Sequence, residues 1–195
     1  MSCSPDCGAI RLLLVLTVVC VAFSANANLA KPAAKWLEED VRWIITPQER
    51  ATFEKLTTDE QRDQFIVAFW ERRNPAPGSA ENKFKVEHYR RIAYSNAHFA
   101  FTSSKKSEPG WKTDRGRIYI VYGPPDSIDS HPSSGYKLAS GAKATIDAYE
   151  VWSYRMIQGF GRDVTVRLVD QCHCGDYRQM TEGGDGNQLP APSDQ

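Results

Sequence analysis

Among the residues able to do chemistry, the tightest group is Cys172-His173-Cys174, which packs two thiols and an imidazole into three positions. Such a group could hold Cu(I) or Zn(II), or cycle as a redox pair, but three ligands on one extended segment leave tetrahedral zinc one short. In an oxidising compartment a local disulfide is expected first, free or oxidised thiols in an exposed bend next, and a metal on Cys172, His173 and Cys174 last. A second, dispersed group is Asp114, Arg115, Asp126 and His131. Loops at strand ends could converge these on a polar ligand, and Asp114, Asp126 and His131 could then supply the acid and base of a hydrolase. The plainer expectation is a solvated loop, because Asp126, Asp129 and His131 fall in an irregular stretch that fixes no geometry. The sequence has no Gly-x-Ser-x-Gly elbow, no His-Glu-x-x-His helix and no phosphate loop. Gly159-Phe160-Gly161 precedes a strand, where a dinucleotide site would need a helix. No cofactor is expected, and the reading leans away from an enzyme.

The elements that must position these residues change period along the chain. Trp36, Leu37, Val41 and Ile44 recur at helical spacing. Thr46-Pro47-Gln48-Glu49 joins a capping hydroxyl, a proline at N1 and a glutamate at N3, which predicts a second helix ending near Leu56. Thr57-Thr58-Asp59-Glu60 predicts a third, running through Phe65, Ile66, Phe69 and Trp70 to the breaker Asn74-Pro75-Ala76-Pro77-Gly78. Ser79 is the expected cap of a fourth helix over 81–99, with Val86, Tyr89, Ala93 and Ala97 as its buried stripe and Lys83, Glu87, Arg90 and Arg91 on a solvated face. Residues 117–122 carry apolar side chains on both alternating faces and read as a central strand that Gly123-Pro124-Pro125-Asp126 ends. Residues 127–147 read as a long loop, and 149–155 and 163–169 as an antiparallel hairpin. The expected fold is α+β, with N-terminal helices packed on a small, mainly antiparallel β-sheet of three strands.

Gly110-Trp111-Lys112-Thr113-Asp114-Arg115-Gly116-Arg117 is the densest unusual segment. Turn chemistry accounts for every residue type in it: Thr113 and Asp114 form turns, Gly110 and Gly116 free the backbone, and Trp111 is expected to plug the junction of helices and sheet. The rival reading is a binding pocket at Gly110, Trp111, Thr113, Asp114, Arg115, Gly123, Pro124, Pro125, Asp126 and His131. Here the chain resembles the GWxTD-domain family, whose motif is Gly110, Trp111, Lys112, Thr113, Asp114. The resemblance extends to Trp36 through Ile45, to Phe69-Trp70-Glu71-Arg72-Arg73-Asn74-Pro75, and to His88-Tyr89-Arg90-Arg91-Ile92-Ala93-Tyr94. Further on it takes in the Gly-Pro-Pro-Asp turn, Glu150-Val151-Trp152 and Gly175-Asp176-Tyr177-Arg178. It implies an exported bacterial domain and carries no assigned reaction; Cys172 and Cys174 depart from the small polar residues usual at that bend.

Composition and the N-terminus set the compartment. Lys+Arg and Asp+Glu number 24 each among 195 residues, so no net field favours a polyanion and no nucleic-acid partner is expected. Arg11, the apolar run from Leu12 to Phe23 and Ala25-Asn26-Ala27 read as a signal peptide over 1–27, cleaved after Ala27. The run is short of the ~20 residues that span a bilayer. Membrane association is expected only through the signal sequence or, in the minority reading, a lipid on Cys20, whose neighbour Val19 does not suit a lipobox. Three of five cysteines, Cys3, Cys7 and Cys20, go with the signal, which excludes a disulfide scaffold. A single domain over 28–180 and a loose tail over 181–195 follow. The expected product is an extracytoplasmic, periplasmic or secreted binding or assembly module whose partner is another envelope protein.

Overall fold

The computed structural model describes residues 31–104 and 106–180. The signal peptide, its cleavage after Ala27, Cys20 and the tail over 181–195 lie outside the described residues. Helix α1 (Lys31–Lys35) runs into a π-helical turn, Trp36–Asp40, and is followed by α2 (Pro47–Glu54), α3 (Asp59–Arg72) and α4 (Lys83–Phe99). Thr46 accepts from the Glu49 N–H while Glu49 reaches back, so the expected capping box forms. The third helix is capped one residue later than its sequence suggests, by Thr58 with Gln61, and the fourth by Asn82 rather than Ser79. Trp36 is the hub of the first core: its ring lies 4.9 Å from that of Phe53 and 5.2 Å from that of Phe69. Ala33, Leu37, Val41, Ile45 and Trp70 complete the cluster.

Helix α4 buries a different stripe from the expected one. His88, Ser95 and Phe99 are buried, whereas Val86, Ala93 and Ala97 face outward. Gly110 packs directly on the α4 backbone at the Ser95 carbonyl, and that crossing covers the face on which Ser95 lies.

Residues 117–122, expected as a central strand, are not one. They form most of α5 (Asp114–Tyr122), entered from a 3-10 turn at Gly110–Lys112. Ile118, Tyr119 and Ile120 are all buried, because α5 lies between α4 and the sheet and is covered on more than one side. A helix buried in this way loses its amphipathic period and reads as a strand. Gly123 ends it at φ 87°, a conformation open to glycine, and its N–H bonds the Tyr119 carbonyl.

The main sheet is antiparallel, in the order β3 (Ser127–His131), β6 (Ala148–Ile157), β7 (Gly161–Asp170), β8 (Arg178–Met180). Trp152 pairs with Val166 and Tyr154 with Val164, and these side chains, with Leu168, face Phe99, Ile118 and Tyr119 in the second core. The segment 127–147 is not a loop: besides β3 it holds β4 (Ser134–Lys137) and β5 (Lys143–Ile146), a separate two-stranded ribbon. A further ribbon pairs β1 (Phe101–Thr102) with β2 (Ser107–Glu108). The α+β class, with N-terminal helices against antiparallel sheet, is as expected. Among the described residues no helix is long and apolar enough to cross a membrane.

Candidate functional site

The segment from Gly110 to Arg117 forms the corner where α4, α5 and the end of the sheet meet. Gly110 is buried against α4, and a Cβ there would overlap the Ser95 carbonyl oxygen; one on Gly116 would overlap the Gly110 carbonyl oxygen. Both glycines are therefore required by close backbone approach. Thr113 is the N-cap of α5: its Oγ1 donates to the Gly110 carbonyl at 2.9 Å and accepts from the Gly116 N–H at 3.0 Å. Asp114 Oδ2 accepts from the Gln179 N–H of β8 at 2.9 Å, so the first turn of α5 holds the sheet edge.

Trp111 does not plug the junction. It is only partly buried and belongs to neither core cluster. Its backbone makes the contacts: the N–H donates to Asn96 Oδ1 at 3.0 Å and the carbonyl accepts from Trp43 Nε1 at 2.8 Å.

Arg115 joins α5 to β6 and to the bend before β8. Its Nη1 lies 3.1 Å from Glu150 Oε1, and its Nη2 donates to the Gly175 carbonyl at 3.2 Å. The guanidinium lies 5.2 Å from the Phe99 ring centroid and 4.2 Å from that of Tyr177. Glu150 Oε2 also accepts from Trp152 Nε1 at 2.9 Å. Beside this pair, buried Asp170 accepts the N–H groups of Cys174 and Gly175 at 3.0 and 2.9 Å. Asp176 is paired with Arg178 and Lys106.

The dispersed residues do not converge. Asp114 and Arg115 reach the sheet from the helical side, and Asp114 ends at β8. Asp126 precedes β3, at the opposite edge, and receives the Arg155 N–H and side chain at 2.7 Å each. Those bonds, the backbone one first, hold its carboxyl below the usual range, so it is no proton donor at neutral pH. Asp126 and His131 stand five residues apart along an extended chain, about 17 Å. His131 bonds Asp129 Oδ2 at 2.9 Å and stacks on Tyr149, with ring centroids 4.3 Å apart. Gly123 is buried at the end of α5, where its carbonyl accepts from Tyr154 Oη, while Pro124 is exposed and Pro125 partly buried. An open groove of about 400 Å³ lies by Asp126, Ser127, Tyr154 and Arg155, away from Asp114 and His131.

Cys172 and Cys174 are joined as a disulfide, so their thiolates are not available as metal ligands. Asp170, which with them forms a compact group of possible ligand atoms, was missed in the sequence. So were Glu150 as the partner of Arg115, and Asn96 and Gln179. A buried arginine needs an acid, and the only readable signal was that Glu150 leads into Trp152 on a strand whose alternate residues are apolar.

A family model, the GWxTD domain, matches residues 22–138. The match takes in α1 through β4 and ends before β6, so Glu150-Val151-Trp152 and Gly175-Asp176-Tyr177-Arg178 lie outside it. No curated protein and no solved structure matches the chain.

Proposed function

The chain belongs to the GWxTD-domain family of exported bacterial proteins, and we propose that it is a non-catalytic binding module that docks on another protein of the cell envelope. The observation that carries this reading is the β4–β5 ribbon. Its register places Tyr136 opposite Ala144 and Ser134 opposite Ile146, so Tyr136, Leu138, Ala144 and Ile146 share one face. Tyr136, Leu138 and Ile146 remain 49%, 46% and 46% exposed. Lys137 pairs with Lys143 on the other face. An isolated two-stranded ribbon is marginal in water and gains from having its apolar face covered.

Half the surface of three such side chains is on the order of 300 Å², well short of the ~800 Å² per partner of a stable dimer. Two ribbons meeting face to face would therefore hold weakly. The face suits a concave apolar groove on a different protein, with acidic residues where Lys137 and Lys143 emerge. The separation of Asp114, Asp126 and His131 supports a binding role over the hydrolase alternative.

Crosslinking in intact envelopes tests the proposal. The unaltered chain should capture a defined partner, and the triple variant Tyr136→Ser, Leu138→Ser, Ile146→Ser should lose it at unchanged melting temperature. Retention of the partner by the triple variant would overturn the reading, as would a crosslink only to a second copy or to lipid. Export by cleavage after Ala27 belongs to the same proposal: N-terminal sequencing should give Asn28. Met1 retained in a membrane pellet, or a lipid on Cys20, would refute it.

A further inference from the structure

The bond between Cys172 and Cys174 joins residues two apart in the bend between β7 and β8. A cross-link that closes so short a loop removes little freedom from the unfolded chain and ties no distant elements together. Stabilising the fold therefore does not account for it. Its setting suits chemistry instead. Cys172 and His173 are exposed and Cys174 is partly buried, so Cys172 is the more accessible of the two cysteines. The His173 imidazole, which lies between the cysteines in the chain, is 52% exposed and pairs with Asp147 at 3.2 Å.

Asp170 supplies the second observation. It is 7% exposed, and its Oδ1 lies 3.2 Å from Cys172 Sγ while also accepting the Cys174 N–H. A disulfide sulfur has no hydrogen to offer that oxygen, whereas a thiol does. Reduction therefore adds a charge-assisted S–H to carboxylate bond, with the acceptor already in place. Contacts that favour the dithiol make a disulfide a better oxidant.

We propose that Cys172 and Cys174 form an exchangeable, oxidising disulfide that accepts two electrons from dithiols of other exported polypeptides. A client thiolate attacks Cys172 Sγ; the bond between the cysteines breaks, and Cys174 leaves as a thiolate that takes a proton from water. The second client thiolate then attacks the client sulfur of the mixed disulfide. Cys172 is released as a thiolate, takes a proton, and its S–H bonds Asp170. One client disulfide forms, one disulfide of this chain is reduced, and the exchange is stoichiometric. This activity is separate from the β4–β5 docking face, and either could fail alone.

The test uses the exported chain equilibrated with mixtures of reduced and oxidised glutathione, quenched by alkylation. The tryptic fragment 168–178 carries both cysteines, so its mass reports their state. The dithiol should appear progressively as reduced glutathione rises, and a reduced two-cysteine peptide should be oxidised by one equivalent of the chain. A one-cysteine peptide should be trapped on Cys172. Asp170→Asn should move the midpoint about fivefold in the equilibrium toward the disulfide, by weakening the S–H bond, while Asp147→Ala should leave it in place. A fragment that stays disulfide-bonded in about 10 mM reduced glutathione, as structural disulfides do, would overturn the proposal. So would a two-cysteine peptide left reduced, or trapping on Cys174. These readouts on the unaltered chain stand even if Asp170→Asn fails to fold.

Discussion

Among single residues, close approach and burial separate positions that look alike in the sequence. Gly110 and Trp111 are adjacent, yet the glycine carries the greater structural demand. Gly110→Ala must displace the α4 backbone at Ser95 and should destabilise by about 3 kcal/mol or more, the upper range for overpacking. Trp111→Ala keeps both backbone bonds and empties only a partly buried site. It should cost about 1 to 2 kcal/mol, below the ~3 to 5 kcal/mol of a fully buried aromatic; thermal unfolding of the two variants checks the order. His88 gives a pH prediction. It is 4% exposed and its Nε2 lies 2.6 Å from the Asp40 carbonyl oxygen. Burial lowers its pKa, against the opposing pull of that carbonyl, from the ordinary 6.5. The unfolded chain therefore binds a proton below pH 6.5 that the folded chain refuses, so this contribution is present above 6.5 and lost as pH falls. His88→Gln should flatten the pH dependence of stability between about pH 7 and 5, measured by denaturant unfolding.

Between elements, a few charged pairs join segments whose order the cores leave loose, and hydropathy does not reveal them. Glu150 is one such residue: from β6 it holds α5 through Arg115, with both side chains under a sixth exposed. Glu150→Gln would turn an amide N–H toward either Arg115 or Trp152 Nε1, both donors. It should cost about 3 kcal/mol, as for a buried pair that loses one partner, and the Arg115→Met, Glu150→Leu double variant should recover only part of that, because buried Trp152 Nε1 then loses its acceptor. Glu49 plays the same part between α2 and α3, closing the capping box at Thr46 while binding Arg72 and Arg73. Burial opposes its ionisation, but Arg73, the Thr46 N–H and Arg72 outweigh it and lower the carboxyl to about 2 from 4.5. That stabilisation is complete above pH 4.5 and lost as pH falls toward 2. Glu49→Gln should be less stable at neutral pH and should show a shallower acid loss, read by circular dichroism.

At the scale of the whole fold, the described residues form two apolar clusters, one built on Trp36 and the other on Trp152, with α4 contributing to both through Tyr89 and Phe99. Among the described residues, the compact group of possible metal ligands is Asp170, Cys172 and Cys174, and its two cysteines are bonded to each other. A chelator should leave the melting temperature unchanged, and a fall reversed by one equivalent of a metal ion would contradict the disulfide. The β4–β5 ribbon stands outside both clusters, which is why truncating its apolar side chains should alter partner capture and spare stability.

Local periods, caps and turn residues are enough to establish the α+β class, the capping box at Thr46, the break after Arg73, the β6–β7 hairpin and the family. The remainder depends on contacts between elements. Residues 117–122 carry the β-branched and aromatic composition of a strand, and they are helical because Thr113 caps them, Gly123 ends them, and α4 and the sheet bury them from several sides. A Thr-Asp start and a Gly-Pro end are both present in the sequence, but they compete with an alternation that burial on many faces also produces. The outward turn of Val86, Ala93 and Ala97 is likewise unreadable, because only the crossing at Ser95 and Gly110 selects which face of α4 is inside. The dispersed acids and His131 can be grouped on paper because spacing along the chain says nothing about the side of a sheet. Only the pairing of β3 with β6, and the docking of α5 against β8, set them apart.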